Sequence, residues 1–363
     1  MKHLSIPAPR QASIPVAREL LGYVVAAGGD AEALVRRAGL SHPARALLDP
    51  RWTGQLSRLE FSALYAEAAW ALDGYAARQE GREPLTKQEF DLFCQCLISC
   101  RTLRDVIARA TAFQTMLIPR MGRLELAEKG DVAEFHMATF RTRRNVSAYV
   151  SDLTGLSTHH RLFGWLIGED IRILSVGFRY PQLVSRACAS VLMLHPVIHN
   201  AAENFLRFPA HYLELPVIRT PAELERLLER FPFDLEEIIS KEALLSEKVR
   251  VVLHSALARG EPLPTGQAIA RQFHLSPATL KRRLAEEGFT LGALKNACRV
   301  DLARALLGDG GLAIGDVAQR VGFSDSTTFS RAFRQWTGHA PGAWRMREEA
   351  PMQPLPLADA APG

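Results

Sequence analysis

The strongest constraint on this chain is a short pattern that occurs twice. In the first copy Ile269-Ala270 is followed by Phe273, Leu275-Ser276, Leu280, Arg282 and Leu284. In the second, Val317-Ala318 is followed by Val321, Phe323-Ser324, Phe329, Arg331 and Phe333. Val317 lies 48 residues after Ile269 and Phe333 lies 49 after Leu284, so the second copy carries one extra residue in its middle. Apolar residues three and four apart describe two short helices in each copy, and the break between them describes a turn. A unit repeated with its helical spacing intact constrains the fold far more than either copy alone.

Capping residues sharpen the boundaries. Ser246 is placed to cap a helix through Val249, Val252, Leu253 and Leu257 that stops at Gly260, ahead of Pro262 and Pro264. Residues 265–273 read as the supporting helix of the first unit and His274-Leu275 as its turn. Ser276 suits an N-cap and Pro277 the first position of a second helix reaching about Glu287. Residues 290–307 read as a joining helix with a buried stripe of Leu291, Leu294, Cys298, Leu302, Ala305 and Leu306. At 1.5 Å per residue it spans roughly 27 Å, close to the ~34 Å between successive major-groove faces of a duplex. In the second unit residues 314–320 support, Gly322-Phe323 turns, and Asp325 or Ser324 caps a helix to Thr337 with Phe329, Phe333 and Trp336 toward the core. Gly338 ends that helix, and Pro341 starts a last short one through Trp344 and Arg345.

Two helix-turn-helix units on one rigid connector imply a DNA-binding module, and charge agrees. Residues 247–349 hold 15 Lys/Arg against 10 Asp/Glu, whereas the rest holds 29 of each, so the net charge of +5 resides in this stretch. Leu280 and Leu284 take the core side of the second helix of unit one, leaving Ala278, Thr279, Lys281, Arg282 and Ala285 opposite. Lys and Arg donate to guanine O6 and N7, and Ala touches a thymine methyl. Lys281 and Arg282 are therefore base-reading candidates with Ala278 as an apolar contact, while Ser276 and Thr279 suit phosphates near the helix start. In unit two Ser326, Thr327, Ser330, Arg331 and Arg334 point away from the core, and Arg331 falls in the register of Arg282. Ser330, Arg334 and Arg345 are assigned to phosphates. The plainer alternative for each unit, a solvated basic face, is disfavoured by the duplication.

Residues 1–235 have a different character. Residues 14–38 suggest two helices broken at Gly28-Gly29, and residues 57–72 another, with Ser57 as cap and Leu59, Leu64, Ala68 and Leu72 inside. Residues 90–100 and 102–117 continue in helix. Residues 123–128 and 132–140 alternate across Lys129-Gly130-Asp131 as a hairpin. Residues 146–167 read as helix, 171–180 as strand and 204–208 as a short final strand. The expectation is an α+β domain over residues 1–235, a linker over 236–246, an all-α domain over 247–347 with two helix-turn-helix units joined by a long helix, and a disordered tail over 348–363.

No catalytic constellation stands out. There is no Gly-rich phosphate loop, no Gly-x-Ser-x-Gly elbow and no His-Glu-x-x-His. His159, His160, His195, His199 and His211 are scattered, and adjacent helical residues point about 100° apart. Cys94, Cys96 and Cys100 have spacing that favours buried thiols over a zinc site. Arg141, Arg143 and Arg144 suit either an anionic effector or a solvated loop, the loop being preferred. The N-terminus lacks the apolar core of a signal peptide, and no apolar run suffices for a membrane span. No enzyme, cofactor or metal is expected. A cytoplasmic protein with no membrane partner is expected, the alternative being a metal- or small-molecule-converting first domain fused to the DNA-binding module.

The second half closely resembles the AraC/XylS family of bacterial transcription regulators. The matching residues are Val317-Ala318, Val321-Gly322-Phe323-Ser324, Phe329-Ser330-Arg331-Ala332-Phe333-Arg334, Trp336, Gly338, Pro341 and Arg345. The resemblance implies seven helices, with base-reading positions matching Ala278, Lys281 and Arg282 in unit one and Ser326, Thr327 and Arg331 in unit two. The first half resembles the family's arabinose-binding-type effector domain from Leu103 onward, through Gly177-Phe178-Arg179-Tyr180-Pro181, Asn204-Phe205-Leu206-Arg207-Phe208 and residues 213–216. Between residues 184 and 199 it departs, with Met193-Leu194-His195 where the family has a tyrosine-rich stretch. The resemblance implies a promoter-binding regulator, more an activator than a repressor. Its partners would be double-stranded DNA, a small effector of unassigned identity, RNA polymerase and a second copy of the chain. A relative carries alkyl-transfer chemistry on a Pro-Cys-His-Arg cysteine; here Cys298 sits between Ala297 and Arg299, so that activity is not implied.

Overall fold

The computed structural model describes residues 14–116, 122–229, 244–308 and 311–345. The chain divides into two compact units, Met1–Ala243 and Leu244–Gly363. Most of the linker expected over 236–246 and all of the tail expected over 348–363 lie outside the described residues.

In the first unit α1 (Ile14–Ala26) and α2 (Ala31–Arg37) are separated at Gly28-Gly29, as the spacing predicts, and a short α3 (Ala44–Leu48) follows. The next helix, α4 (Arg58–Gln79), opens with a capping box in which Ser57 accepts the Glu60 N–H and Glu60 accepts the Ser57 N–H. Its buried stripe runs through Phe61, Leu64, Tyr65, Ala68 and Leu72. Leu59, expected inside, is 62% exposed. Two residues ahead of Phe61, it lies about 200° around the helix from it.

Helices α5 (Lys87–Leu97) and α6 (Leu103–Met116) lead to the hairpin β1 (Arg123–Lys129) and β2 (Val132–Ala138), with Lys129 opposite Val132 across Gly130-Asp131. Cys94 and Cys100 are buried, but Cys96 is exposed on the outer face of α5. Then come α7 (Val146–Ile167), β3 (Ser175–Phe178), α8 (Arg186–Leu192), β4 (Val197–His199), β5 (Phe205–Pro209), a 3-10 turn over Ala210–Glu214 and α9 (Pro221–Leu228). The sheet order is β1-β2-β5-β3-β4, antiparallel except for the parallel β3–β4 pair. Gly177 in β3 lies opposite Phe205, and a Cβ there would come within 2.0 Å of the Phe205 ring, so a larger residue would have to displace that ring.

Helix α7 is the axis of this unit. Asn145 caps its start, Gly168 in the left-handed region ends it, and it packs on α4, α6, α8 and β5. Eighteen of its 22 residues are buried, among them Asp152, His159, His160 and Arg161. The histidines find separate partners. His159 Nδ1 lies 2.8 Å from the Gly155 carbonyl, His160 Nε2 lies 2.9 Å from that of Ile171, and His199 Nε2 lies 2.8 Å from the Tyr149 hydroxyl. The arginine cluster divides: Arg143 and Arg144 are exposed, whereas Arg141 turns inward to pair with Asp73 and Asp152.

The second unit has seven helices among its described residues: α10 (Leu245–Ala258), α11 (Gly266–Gln272), α12 (Pro277–Glu286), α13 (Leu291–Gly308), α14 (Ile314–Arg320), α15 (Ser326–Thr337) and α16 (Pro341–Arg345). Ser246 is not the cap expected; it lies inside α10 and is buried. The free N–H groups there are taken instead by carboxylates. Glu247 accepts from Leu244, and the two oxygens of Glu287, at the end of α12, accept from Leu245 and Ser246 at 2.9 and 2.7 Å.

Helix α13 has no single buried stripe. Leu294 and Cys298 belong to a core with α10, α11 and α12, while Ala303 and Leu307 belong to a second core with α14 and α15. Leu302 touches both. The buried face rotates between the two, which is why Ala305, expected inside, is exposed.

A polar clamp joins α10 to α13, where Arg250 and His254 each approach Asp301 at 3.4 Å. Hydrogen bonding to Asp301, and then to Cys298, outweighs burial and raises His254 from 6.5 to about 9. A raised folded-state value stabilises fully below the unfolded value and is lost as pH rises through about 9. Because His254 is 40% exposed, solvent screening holds the effect to about 1 kcal/mol. Hydrogen-exchange protection of α10 and α13 is expected to fall between neutral pH and about pH 9, and His254→Gln to flatten that fall.

Candidate nucleic-acid interface

Both readers are built on the same turn. After α11, His274 adopts the left-handed conformation (φ 53°), its N–H bonds the Arg271 carbonyl at 3.0 Å, and the Leu275 N–H bonds that of Ala270 at 2.8 Å. After α14, Gly322 (φ 84°) bonds Gln319 at 3.0 Å, and Phe323 bonds Ala318 at 2.9 Å. This paired closure satisfies the last carbonyls of a helix and turns the chain sharply. Leu275 and Phe323 then pack onto the two cores. His274 holds a conformation that costs a residue with a Cβ roughly 1–2 kcal/mol.

The extra residue of the second copy enters just after the turn. Ser276 caps α12 by accepting the Thr279 N–H at 3.1 Å, and Asp325 caps α15 by accepting the Thr328 N–H at 2.7 Å, so Ser324 is the inserted position. The backbone N–H of Thr328 holds the Asp325 carboxyl below the usual carboxylate range. A carboxylate thus stands at the start of α15, where it opposes a phosphate, while α12 starts on a neutral hydroxyl.

The core sides are those the spacing predicts. Leu280 and Leu284 are buried in the first helix-turn-helix, and Phe329 and Phe333 in the second, each side chain contributing about 1.5–3 kcal/mol by burial. Trp336 is only half-buried, its ring 5.9 Å from that of Phe323. Ala278, Lys281 and Arg282 are exposed on α12, as are Ser326, Thr327, Arg331 and Arg334 on α15. Arg282 pairs with Glu286 one turn on, at 2.6 Å. Lys281, Arg331 and Arg334 form no ion pair among the described residues.

The residues assigned to phosphates are more occupied. Ser276 and Thr279 share a 2.8 Å hydroxyl contact, and the Ser330 hydroxyl donates to the Ser326 carbonyl at 2.7 Å. Arg345, expected on a phosphate, donates to the Leu312 carbonyl and is half-buried, which ties α16 to the segment before α14. Sequence reasoning gave no role to Arg299 and Arg304 of α13. Arg299 lies over the Phe323 ring at 5.3 Å and Arg304 over the Trp344 ring at 4.6 Å. Burial lowers the Arg299 guanidinium below its usual range. These cations fasten the second helix-turn-helix to the connector; only knowledge of the aromatic neighbours exposes that role.

The duplicated units, the opposed core and exposed faces and the single connector define the helix-turn-helix class of DNA-binding proteins. Comparison with known proteins agrees. The family model for the arabinose-binding N-terminal domain of AraC transcription regulators matches residues 28–217, and a helix-turn-helix domain model matches residues 269–347. The first match alone covers just over half of the chain. The chain belongs to the AraC family of transcription regulators.

It is 32% identical to the ornithine utilization regulator of Pseudomonas aeruginosa over 54% of this chain and 56% of that protein, little more than half of the relative's length. It is 26% identical to an uncharacterized HTH-type transcriptional regulator of Mycobacterium tuberculosis over 71% of this chain and 75% of that one. With the HTH-type regulator VirS of the same organism it shares 34% identity over 36% of this chain and 37% of the relative. No helix among the described residues is long and apolar enough to cross a membrane.

Proposed function

We propose that the protein is a non-enzymatic, effector-responsive activator of transcription that reads promoter DNA through α12 and α15 in two successive major grooves. The observation that supports this most is the shared register of Arg282 and Arg331 on two exposed helix faces carried by one connector. Ala278, Lys281 and Arg282 of α12, with Ser326, Thr327 and Arg331 of α15, contact base edges. Ser276, Thr279, Ser330 and Arg334 contact phosphates, and Arg345 acts within the fold. In the free protein Arg282 rests on Glu286, and guanine replaces that carboxylate partner on binding. The first unit binds a small effector and forms a homodimer, RNA polymerase is the downstream partner, and the protein works in the cytoplasm.

The test begins with genomic fragments retained by the full chain at about 150 mM salt, where non-specific affinity is weak. Retained fragments should share two short blocks one helical turn apart. On such a site Arg331→Ala should cost about 1–3 kcal/mol and relax preference at one base position. A uniform loss across all sequences would reassign Arg331 to a phosphate.

A further inference from the structure

The first unit holds a cavity of about 160 Å³, partly open to the surface, between α4, α5, α6, the β1–β2 hairpin and α7. A dry cavity of about 150 Å³ accommodates benzene, so this one suits a guest of roughly six to ten non-hydrogen atoms. Much of its wall is apolar, from Ala69, Phe90, Phe93 and Met137. The polar part of the wall is what selects a guest.

Two hydrogen-bond acceptors there are buried without a protein partner, Gln114 Oε1 and His159 Nε2, on residues that are 5% and 8% exposed. The histidine tautomer follows from its other nitrogen. Nδ1 faces the Gly155 carbonyl at 2.8 Å, which can only accept, so Nδ1 carries the hydrogen and Nε2 presents a lone pair. Burial keeps the ring neutral by lowering its basicity.

Charge points the same way. Arg141 donates to Asp152 Oδ1 at 2.6 Å and also to Asp73. Asp152 Oδ2 accepts from the Tyr180 hydroxyl at 2.6 Å and from Asn204 at 3.4 Å. Burial pushes the Asp152 carboxyl up, and the donors around it, Arg141 first, oppose that shift. Among the described residues no other charged side chain borders it, so the lining sets two carboxyl groups against one guanidinium. Arg141 Nε is also without a partner, one donor beside two carboxylates. Asp152 is fully enclosed, whereas Asp73 retains 22% of its side-chain exposure and is the carboxylate with room for a guest.

We propose that this cavity is the effector site and that it takes a small organic ammonium with an apolar body, its N–H groups directed to Asp73, Gln114 and His159. The proposal rests on the reading of the first unit as effector-binding. It brings together residues of three helices, and Asp73 on α4 meets the recognised charge.

The test titrates the full chain with benzylamine, benzyl alcohol and benzoate, three probes of one shape and different head groups, each to about 10 mM. Benzylamine should bind tightest and raise the melting temperature, the alcohol should follow, and benzoate should not bind. Asp73→Asn should weaken benzylamine about tenfold or more while changing the alcohol little. Gln114→Leu, which removes one acceptor without touching the ion pairs, should weaken both donors and serves if Asp73→Asn is poorly folded. Benzoate binding tighter than benzylamine would overturn the charge assignment. Undiminished benzylamine binding in Ala69→Leu, which fills the cavity, would overturn the site. Binding that follows the expected order but leaves operator affinity unchanged would keep the site and overturn the effector reading instead.

Discussion

Arg141→Ala is expected to destabilise the first unit by about 3–5 kcal/mol, the usual cost of leaving one member of a buried ion pair without its partner. The guanidinium bridges Asp73 on α4 and Asp152 on α7, and the Asp152 side chain has no solvent exposure. Its loss strands that carboxylate beside Tyr180 and Asn204, whose hydrogen bonds cannot balance the buried charge. Hydrogen exchange across α7 is the direct readout, because the chain has two units and one global unfolding midpoint would mix them. Protection of the α7 amides should collapse while that of α12 and α15 persists. Asp73→Asn should cost much less, since the Arg141–Asp152 pair survives and Asp73 keeps partial exposure. Unchanged α7 protection in Arg141→Ala would mean that water reaches Asp152 after all.

Phe333→Ala is expected to cost about 3–5 kcal/mol in the second reader. The ring is fully buried, 5.6 Å from Phe329 and 6.0 Å from Trp344, in the small core that α13 shares with α14, α15 and α16. No neighbour of similar size can fill the space without shifting Phe329 or the Trp344 ring that lies under Arg304. Exchange should accelerate through α14 and α15 and less through α11 and α12, whose core is separate. Specific DNA binding should then fall toward the affinity of a single reader. Equal acceleration in all four helices would show that the two cores melt as one.

Some elements could be read from the residues because local and tertiary demands coincide. Helix α15 begins after Asp325 and ends before Gly338, and α7 runs from its Asn145 cap to Gly168, so chemistry at both ends marks the boundary. Strand β4 has only three residues and, among the described residues, pairs only with β3, too short to show alternation. Ser246 looked like a cap because its hydroxyl suits one; the carboxylate that acts there, Glu287, is 41 residues away. Leu59 lies five residues before Leu64, a step that leaves it off the buried stripe, which starts at Phe61. The readers' exposed faces follow from helical spacing, but the occupation of Arg282 by Glu286 and of Arg345 by Leu312 depends on rotamers. The cavity was wholly illegible, since Asp73, Gln114, Arg141 and His159 come from four separate stretches and meet only once the unit has folded.

The connector α13 shares its 18 residues between two cores, and this has a geometric consequence for any DNA the pair of readers engages. Adding or deleting one residue would advance the second core by about 1.5 Å while swinging it about 100° around the axis. Displacement and orientation are therefore locked together, and the distance between the two readers cannot drift by small steps. Only changes near a whole helical turn would return both faces to the same side. The separation of the sequence blocks that such a protein recognises is thus quantised by the pitch of one helix, and promoter spacing would have to adapt to the protein rather than the reverse.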